Sequence, residues 1–320
     1  MRFLKVILGL FVLLAGSVQV ARAQQDMLFS QYMFNGLIYN PAFAGASGNF
    51  SATMFYRNQW TGFNGAPVSQ SLIASMPIPD KKFSAGLTLL NDQAGALRYW
   101  TLGAAGAYKI EFEKTLLSIG LNLGMRQYFL NTAALETQSG SSPQLSGSAV
   151  QAPVVPDVGV GFLFKDKEDK YYLGISGLHL YPAPVSFTAN KGTGQFPTQF
   201  YFTAGYKYNL SPDFKLLPST LIKYVIGAPV QADINLTFMY QEKFWFGTSY
   251  RTTDAMVINL GVQLDKAISG FTPRIKIGYA FDATVSQLPT YNSFGSHEVF
   301  VTYDLGFAEK VHIPKFKKLE

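Results

Sequence analysis

Beyond residue 48 the chain is written in a period of two. Ile234, Leu236, Phe238 and Tyr240 alternate with Asp233, Asn235, Thr237 and Met239, and Met256, Ile258, Leu260 and Val262 alternate with Val257, Asn259, Gly261 and Gln263. The same alternation sets Leu117, Ile119, Leu121, Leu123 and Met125 against Ser118, Gly120, Asn122, Gly124 and Arg126. It also sets Ile275, Ile277, Tyr279 and Phe281 against Arg274, Lys276, Gly278 and Asp282. Successive side chains on a strand point to opposite faces, so each stretch reads as a strand with one apolar and one polar face. Fourteen strands are predicted, beginning near Asn49, Ser69, Phe83, Leu97, Thr115, Asp157, Tyr171, Phe196, Lys215, Gln231, Trp245, Ala255, Thr272 and His297.

Such strands build either a soluble sandwich, with the charged face outside, or an outer-membrane barrel, with the apolar face toward lipid and the charges inside. Connection lengths separate the two. The odd-numbered connections include long ones, 58–68, 131–156, 179–195 and 283–296, whereas 77–82, 111–114, 166–170 and 241–243 among the even-numbered ones are short. Gly227–Pro229 and Thr252–Asp254 are short odd-numbered exceptions. Long outer loops, tight periplasmic turns and an even strand count are the pattern of single-chain bacterial barrels. The expected fold is therefore an all-β, transmembrane antiparallel barrel of about 14 strands. Trp60, Trp100 and Trp245 fall near predicted strand ends, where girdle aromatics belong.

Composition agrees: aromatic residues reach 15% and charged residues only 14%, against roughly 25% charged in soluble domains. Residues 1–23 read as a Sec signal peptide, with Arg2 and Lys5 ahead of an apolar Val6–Gly16 run and an Ala21-Arg22-Ala23 cleavage site. Removing that leader lowers the basic count from 26 to 23 against 20 acids, a charge of +3, and a nucleic-acid partner loses its support. The expected organisation is leader 1–23, an N-terminal periplasmic or lumenal segment 24–48, barrel 49–307 and a basic periplasmic tail 308–320.

The residue pattern offers no enzyme chemistry, cofactor or metal site. His179, His297 and His312 are scattered and there is no cysteine to complete a zinc site. Ser296, His297 and Glu298 are adjacent on one strand and point to opposite faces, so they form no triad. Gly159 and Gly161 read as strand glycines that make room for bulky lumenal neighbours, and Lys165–Lys170 as a solvated turn. The polar-face charges Arg57, Arg126, Asp233, Arg274, Lys276, Asp282, Glu298 and Asp304 are expected to pair across the lumen, either as a rigid plugged network or as a selective pore lining.

One stretch stands apart: FSQYMFNGLIYNPAFAG, Phe29–Gly45, rich in aromatics yet too short to span a bilayer as a helix. Preceding the first strand, it is expected at the periplasmic mouth, tucked into the interior or covering the lower rim. Asn40-Pro41 marks an extended break after a short helical turn. Phe29, Gln31, Tyr32, Phe34, Asn35, Asn40 and Pro41 are its candidate plug or partner-binding residues; Arg57, Gln59, Trp60, His297 and Glu298 join them from the first and last strands. Arg57 is expected inside the barrel near its outer end, and Trp60 at the interface or in the first loop.

Several of these runs carry a family resemblance. Phe29-Ser30-Gln31-Tyr32-Met33-Phe34-Asn35, Tyr39-Asn40-Pro41-Ala42 with Ala44-Gly45, Tyr56-Arg57-Asn58-Gln59-Trp60 with Gly62 and Gly65-Ala66-Pro67, Pro156-Asp157 with Gly159 and Gly161, Leu217-Pro218-Ser219, and Gly278-Tyr279 followed by Gly295-Ser296-His297-Glu298 resemble the PorP/SprF membrane proteins of the type IX secretion system in Bacteroidota. Gly36 departs from the proline of the commonest first motif. The resemblance implies a non-enzymatic outer-membrane barrel working with the secretion and gliding machinery. Its implied partners are outer-membrane lipid, periplasmic lipoproteins of the system and the C-terminal domains of secreted adhesins. The alternative is a FadL-like channel for hydrophobic small molecules, which shares fourteen strands and an N-terminal hatch with a motif like Asn40-Pro41-Ala42.

Overall fold

A computed structural model of the chain describes residues 27–132, 149–181, 184–186, 193–195, 197–252, 255–265, 271–285 and 294–307. The expected leader, the basic tail and the middle of the 131–156 connection lie outside the described residues. Fourteen long strands form the wall: β1 Phe50–Asn58, β2 Val68–Pro77, β3 Phe83–Ala94, β4 Leu97–Glu111, β5 Thr115–Asn131, β6 Val155–Asp166, β7 Tyr171–Leu178, β8 Gln199–Tyr206, β9 Phe214–Val225, β10 Gln231–Tyr240, β11 Phe244–Arg251, β12 Ala255–Asp265, β13 Phe271–Thr284 and β14 Ser296–Phe307. Each pairs antiparallel with its neighbours in sequence, and β1 pairs with β14 from Phe50↔Leu305 to Asn58↔His297, which closes the sheet. Closure leaves no unpaired edge, the condition for placing strands in hydrocarbon. Every strand begins within three residues of its expected start.

The faces sort as an outer-membrane barrel requires. Ile234, Leu236 and Phe238 are outward and 59%, 37% and 45% exposed, while Asp233, Asn235 and Thr237 between them are buried. Ile275 and Ile277 likewise face out, and Arg274 and Lys276 turn inward. A continuous exposed apolar wall of this kind would aggregate in water and is at home in lipid. The protein is an outer-membrane β-barrel, and its long connections leave one end of the wall, the end expected from their length to be the outer one.

Trp245 corrects one expectation. It is 4% exposed and turned into the lumen, not part of an aromatic girdle. Strand parity is the reason: it shares a face with Gly247, Ser249 and Arg251. Trp100 faces outward and Trp60 lies in the first outer connection.

Candidate functional site

The lumen is occupied by the chain's own N-terminal segment. Three single turns of 3-10 helix, Tyr32–Phe34, Gly36–Ile38 and Pro41–Phe43, carry it through the barrel. The second and third are opened by asparagines: Asn35 Oδ1 accepts from Leu37 N at 3.2 Å and Asn40 Oδ1 from Ala42 N at 2.9 Å. Asparagine is a strong cap because its side-chain oxygen replaces a missing intrahelical acceptor, and proline at the next position has no N–H to satisfy. Gly36 leaves space: a Cβ there would stand 2.7 Å from the Phe43 ring, which folds back over the turn.

The segment tucks into the interior, one of its two expected placements, but it rises well above the mouth at which its place in sequence put it. Met27 lies beside Tyr99 and Ser30 beside Arg57, both near the outer strand ends, and the chain then descends to Gly45 against Ser84 and Pro77 at the tight-turn end. Sequence order requires only that the segment reach the inner end before β1 begins; its starting height is set by partners on distant strands.

Those partners form an ionic clamp. Arg57 contacts Asp282 at 2.7 Å and Glu298 at 3.3 Å, and Arg251 contacts Asp233 at 2.9 Å and Asp282 at 3.2 Å, all essentially inaccessible to water. The Ser30 hydroxyl sits at the centre, donating to Asp282 Oδ2 at 2.7 Å and accepting from Arg57 Nη1 at 2.8 Å and Arg251 Nη2 at 3.1 Å. The Glu298 carboxylate accepts the backbone N–H groups of Ser30 at 2.7 Å and Gln31 at 2.9 Å. Two guanidinium groups here meet three carboxylates. The plug supplies further donors to Asp282 and Glu298, and a buried charge without such donors is costly.

Lower down, sterics replace charge. A Cβ at Gly161 would overlap Asn40 Oδ1, and one at Gly120 would collide with the Pro41–Ala42 peptide. Against this bare wall Asn40 Nδ2 donates to the carbonyls of Phe162 at 3.0 Å and Ile175 at 3.3 Å, and Ser176 Oγ donates to Tyr39 O at 2.5 Å. At the inner exit Lys109 Nζ donates to Gly45 O at 2.8 Å and Lys165 Nζ to Ala46 O at 2.9 Å. Aromatic packing fills the rest: Phe29 on Phe55 (4.8 Å between centroids), Phe34 on Trp245 (4.8 Å) and Phe300 (5.0 Å), Tyr39 on Tyr201 (5.3 Å), and Phe43 edge-on to Tyr172 (5.7 Å). Offset and edge-on rings at these spacings are favourable beyond the area they bury.

The candidate residues divide by location. Phe29, Gln31, Tyr32, Asn40 and Pro41 are buried and Phe34 and Asn35 partly so, all within the lumen, where Arg57 and Glu298 meet them. Gln59, Trp60 and His297 are elsewhere, at the outer seam between β1 and β14. Gln59 N donates to Pro67 O at 2.9 Å, Trp60 N to Ser296 Oγ at 3.1 Å, and His297 faces outward, its Nδ1 2.7 Å from Tyr279 OH. Trp60 holds a left-handed backbone, φ 51°, as loop one turns onto the Gly295 carbonyl.

Arg251 and Ser30 escaped the candidate set. Arg251 was legible by parity with Trp245 and Ser249; Ser30 carried no signal beyond its position in the motif. A second buried group, His179 with Asp157 (2.7 Å) and Arg126 (2.7 Å), lines a cavity of about 50 Å³ between the plug and β3–β8. With Nδ1–H donated to Asp157, Nε2 accepts from Arg126. Among the described residues no three His, Asp or Glu side chains are arranged to ligate a metal.

Solved structures of similar shape include the CymD monoaromatic hydrocarbon channel, at 12% identity and a TM-score of 0.46 over 87% of this chain and 92% of that one. The P. putida toluene transporter TodX matches at 13% identity and 0.44 over 85% and 92%. The KdgM porin matches at 9% and 0.33 over 81% and 99%. No curated protein sequence matches the chain. A family model described as "Type IX secretion system membrane protein PorP/SprF" matches residues 21–303.

Proposed function

The chain belongs to the PorP/SprF family of type IX secretion system membrane proteins, and on that premise we propose that it supports secretion or surface anchoring of large adhesin-type proteins through protein–protein contacts, without catalysing a reaction. The observation that carries this reading is the filled lumen. A conduit for hydrophobic solutes needs an apolar path through the wall's interior. Here that space holds the plug, tied by Ser30 and Gln31 above and by Gly45 and Ala46 below. A barrel so filled works through its two ends.

The outer end offers the seam around Gln59 and Trp60 and the long connections as the face for a secreted C-terminal domain. The inner end offers a cleft of about 220 Å³ between plug and wall, lined by Met33, Phe34, Tyr172, Leu217 and Pro218 and rimmed by Lys170 and Lys207, as the face for a periplasmic lipoprotein of the system.

The test is deletion of the corresponding gene, followed by surface proteomics and an uptake assay with a hydrophobic solute. Loss of displayed adhesins with uptake intact is the expected result. Unchanged display with lost uptake would replace this reading with the channel.

A further inference from the structure

On one side of the barrel the pairing register sorts outward-facing residues into rows. Tyr56, Gln70, Asn91, Trp100 and Gln127 stand side by side across β1–β5, and two residues nearer the membrane centre stand Met54, Leu72, Leu89, Leu102 and Met125. The first row is amide and aromatic, the second wholly apolar. Aromatic side chains mark the headgroup level and aliphatic ones the hydrocarbon. Following β3 and β4 inward, the next aromatic pair is Phe83 with Tyr108, eight residues below Asn91 on β3. At ~3.3 Å per residue and a tilt near 40° that is about 20 Å of belt, which fixes Gln70 and Asn91 at the outer leaflet's polar boundary.

A groove of about 690 Å³ opens on the lipid side across this boundary. Met54, Leu72, Leu89 and Val301 line its apolar part, and Trp100 flanks the upper edge, which Gln70 and Asn91 form. Directly above, Arg98 Nε donates to Asn91 Oδ1 at 2.8 Å. That bond aims the guanidinium, and its two terminal nitrogens have no partner among the described residues.

We propose that this groove binds one phosphorylated glycolipid of the outer leaflet, with an acyl chain along Leu72 and Leu89 and a headgroup phosphate on Arg98. The groove faces the bilayer, so its occupant is resident in the membrane. An acyl chain gains no dehydration by moving from neighbouring lipid into the groove, so apolar packing alone cannot select an occupant. Selection falls to the polar edge. There an oriented guanidinium favours a phosphate, and the amides of Gln70 and Asn91 suit sugar hydroxyls.

The full-length barrel, placed in nanodiscs holding equal amounts of bisphosphorylated lipid A and phosphatidylethanolamine, would be released into a native mass spectrometer and its retained lipids counted. One retained lipid A per barrel is expected. Arg98→Gln should lower its retention about tenfold, the loss of one charge-assisted contact. Leu72→Trp should fill the groove and lower retention comparably, whereas Ile258→Trp, a bulky lipid-facing change on β12, should not. The proposal fails if both lipids are retained equally, if Ile258→Trp acts like Leu72→Trp, or if a second protein chain is found bound in place of lipid.

Discussion

The upper and lower halves of the lumen hold the same segment by opposite means. Around Ser30 the wall projects charged side chains inward and the plug is held by directional, charge-assisted bonds. Around Asn40 the wall withdraws its side chains, at Gly120 and Gly161, and the plug is held by backbone contact and amide hydrogen bonds. Ionic groups reach across a gap and fix height and rotation; bare glycine strands admit a turn of backbone and fix lateral position. A lumen lined uniformly with either would lack one of the two constraints.

Breaking the upper clamp should cost most. Arg57→Ala leaves Asp282 and Glu298 buried without their shared guanidinium partner, and a loss of about 3–5 kcal/mol in urea unfolding of the refolded barrel is expected. Pairing it with Asp282→Ala should return part of that loss; strict additivity would mean the two side chains do not interact.

Filling the lower cradle comes next. Gly161→Val forces either Asn40 or the strand to move, for about 1–3 kcal/mol. Because the wall's ladder is retained, the displaced part should be the plug. The expected readout is greater proteolysis within Phe29–Gly45 and larger single-channel conductance than wild type, and a silent bilayer recording would argue that the segment stays seated. Removing one polar tie is milder: Ser30→Ala, which strips the hydroxyl from between two arginines and Asp282, should cost about 1–3 kcal/mol by thermal unfolding.

The smallest effect is expected at the inner exit. Lys109→Ala and Lys165→Ala each remove a bond from a partly exposed ammonium to a plug carbonyl, a change below about 1 kcal/mol. If either matched Arg57→Ala in the same unfolding assay, the contrast between the two halves would be lost.

The wall is legible in the order of its residues. Period-two alternation fixed which residues face lipid, because one slip in register would turn Ile275 and Ile277 inward and Arg274 and Lys276 into hydrocarbon. Connection lengths supply the expected polarity of the barrel, and parity alone placed Arg57, Asp282 and Glu298 in the lumen. The aromatic content of Phe29–Gly45 showed that this segment must be covered. Which side chains cover it, and at what height, follows from contacts between distant strands. Ser30 meets Arg57, Asp282, Glu298 and Arg251 across separations of 27 to 268 residues, contacts that exist only once the sheet has closed. Trp245 shows the same limit from the wall: its place near a strand end suggested a girdle, and its inward turn matters because Phe34 is there to receive it. Local pattern specifies which face a residue occupies; the partner it finds on that face depends on the shear and closure that bring distant strands to one level.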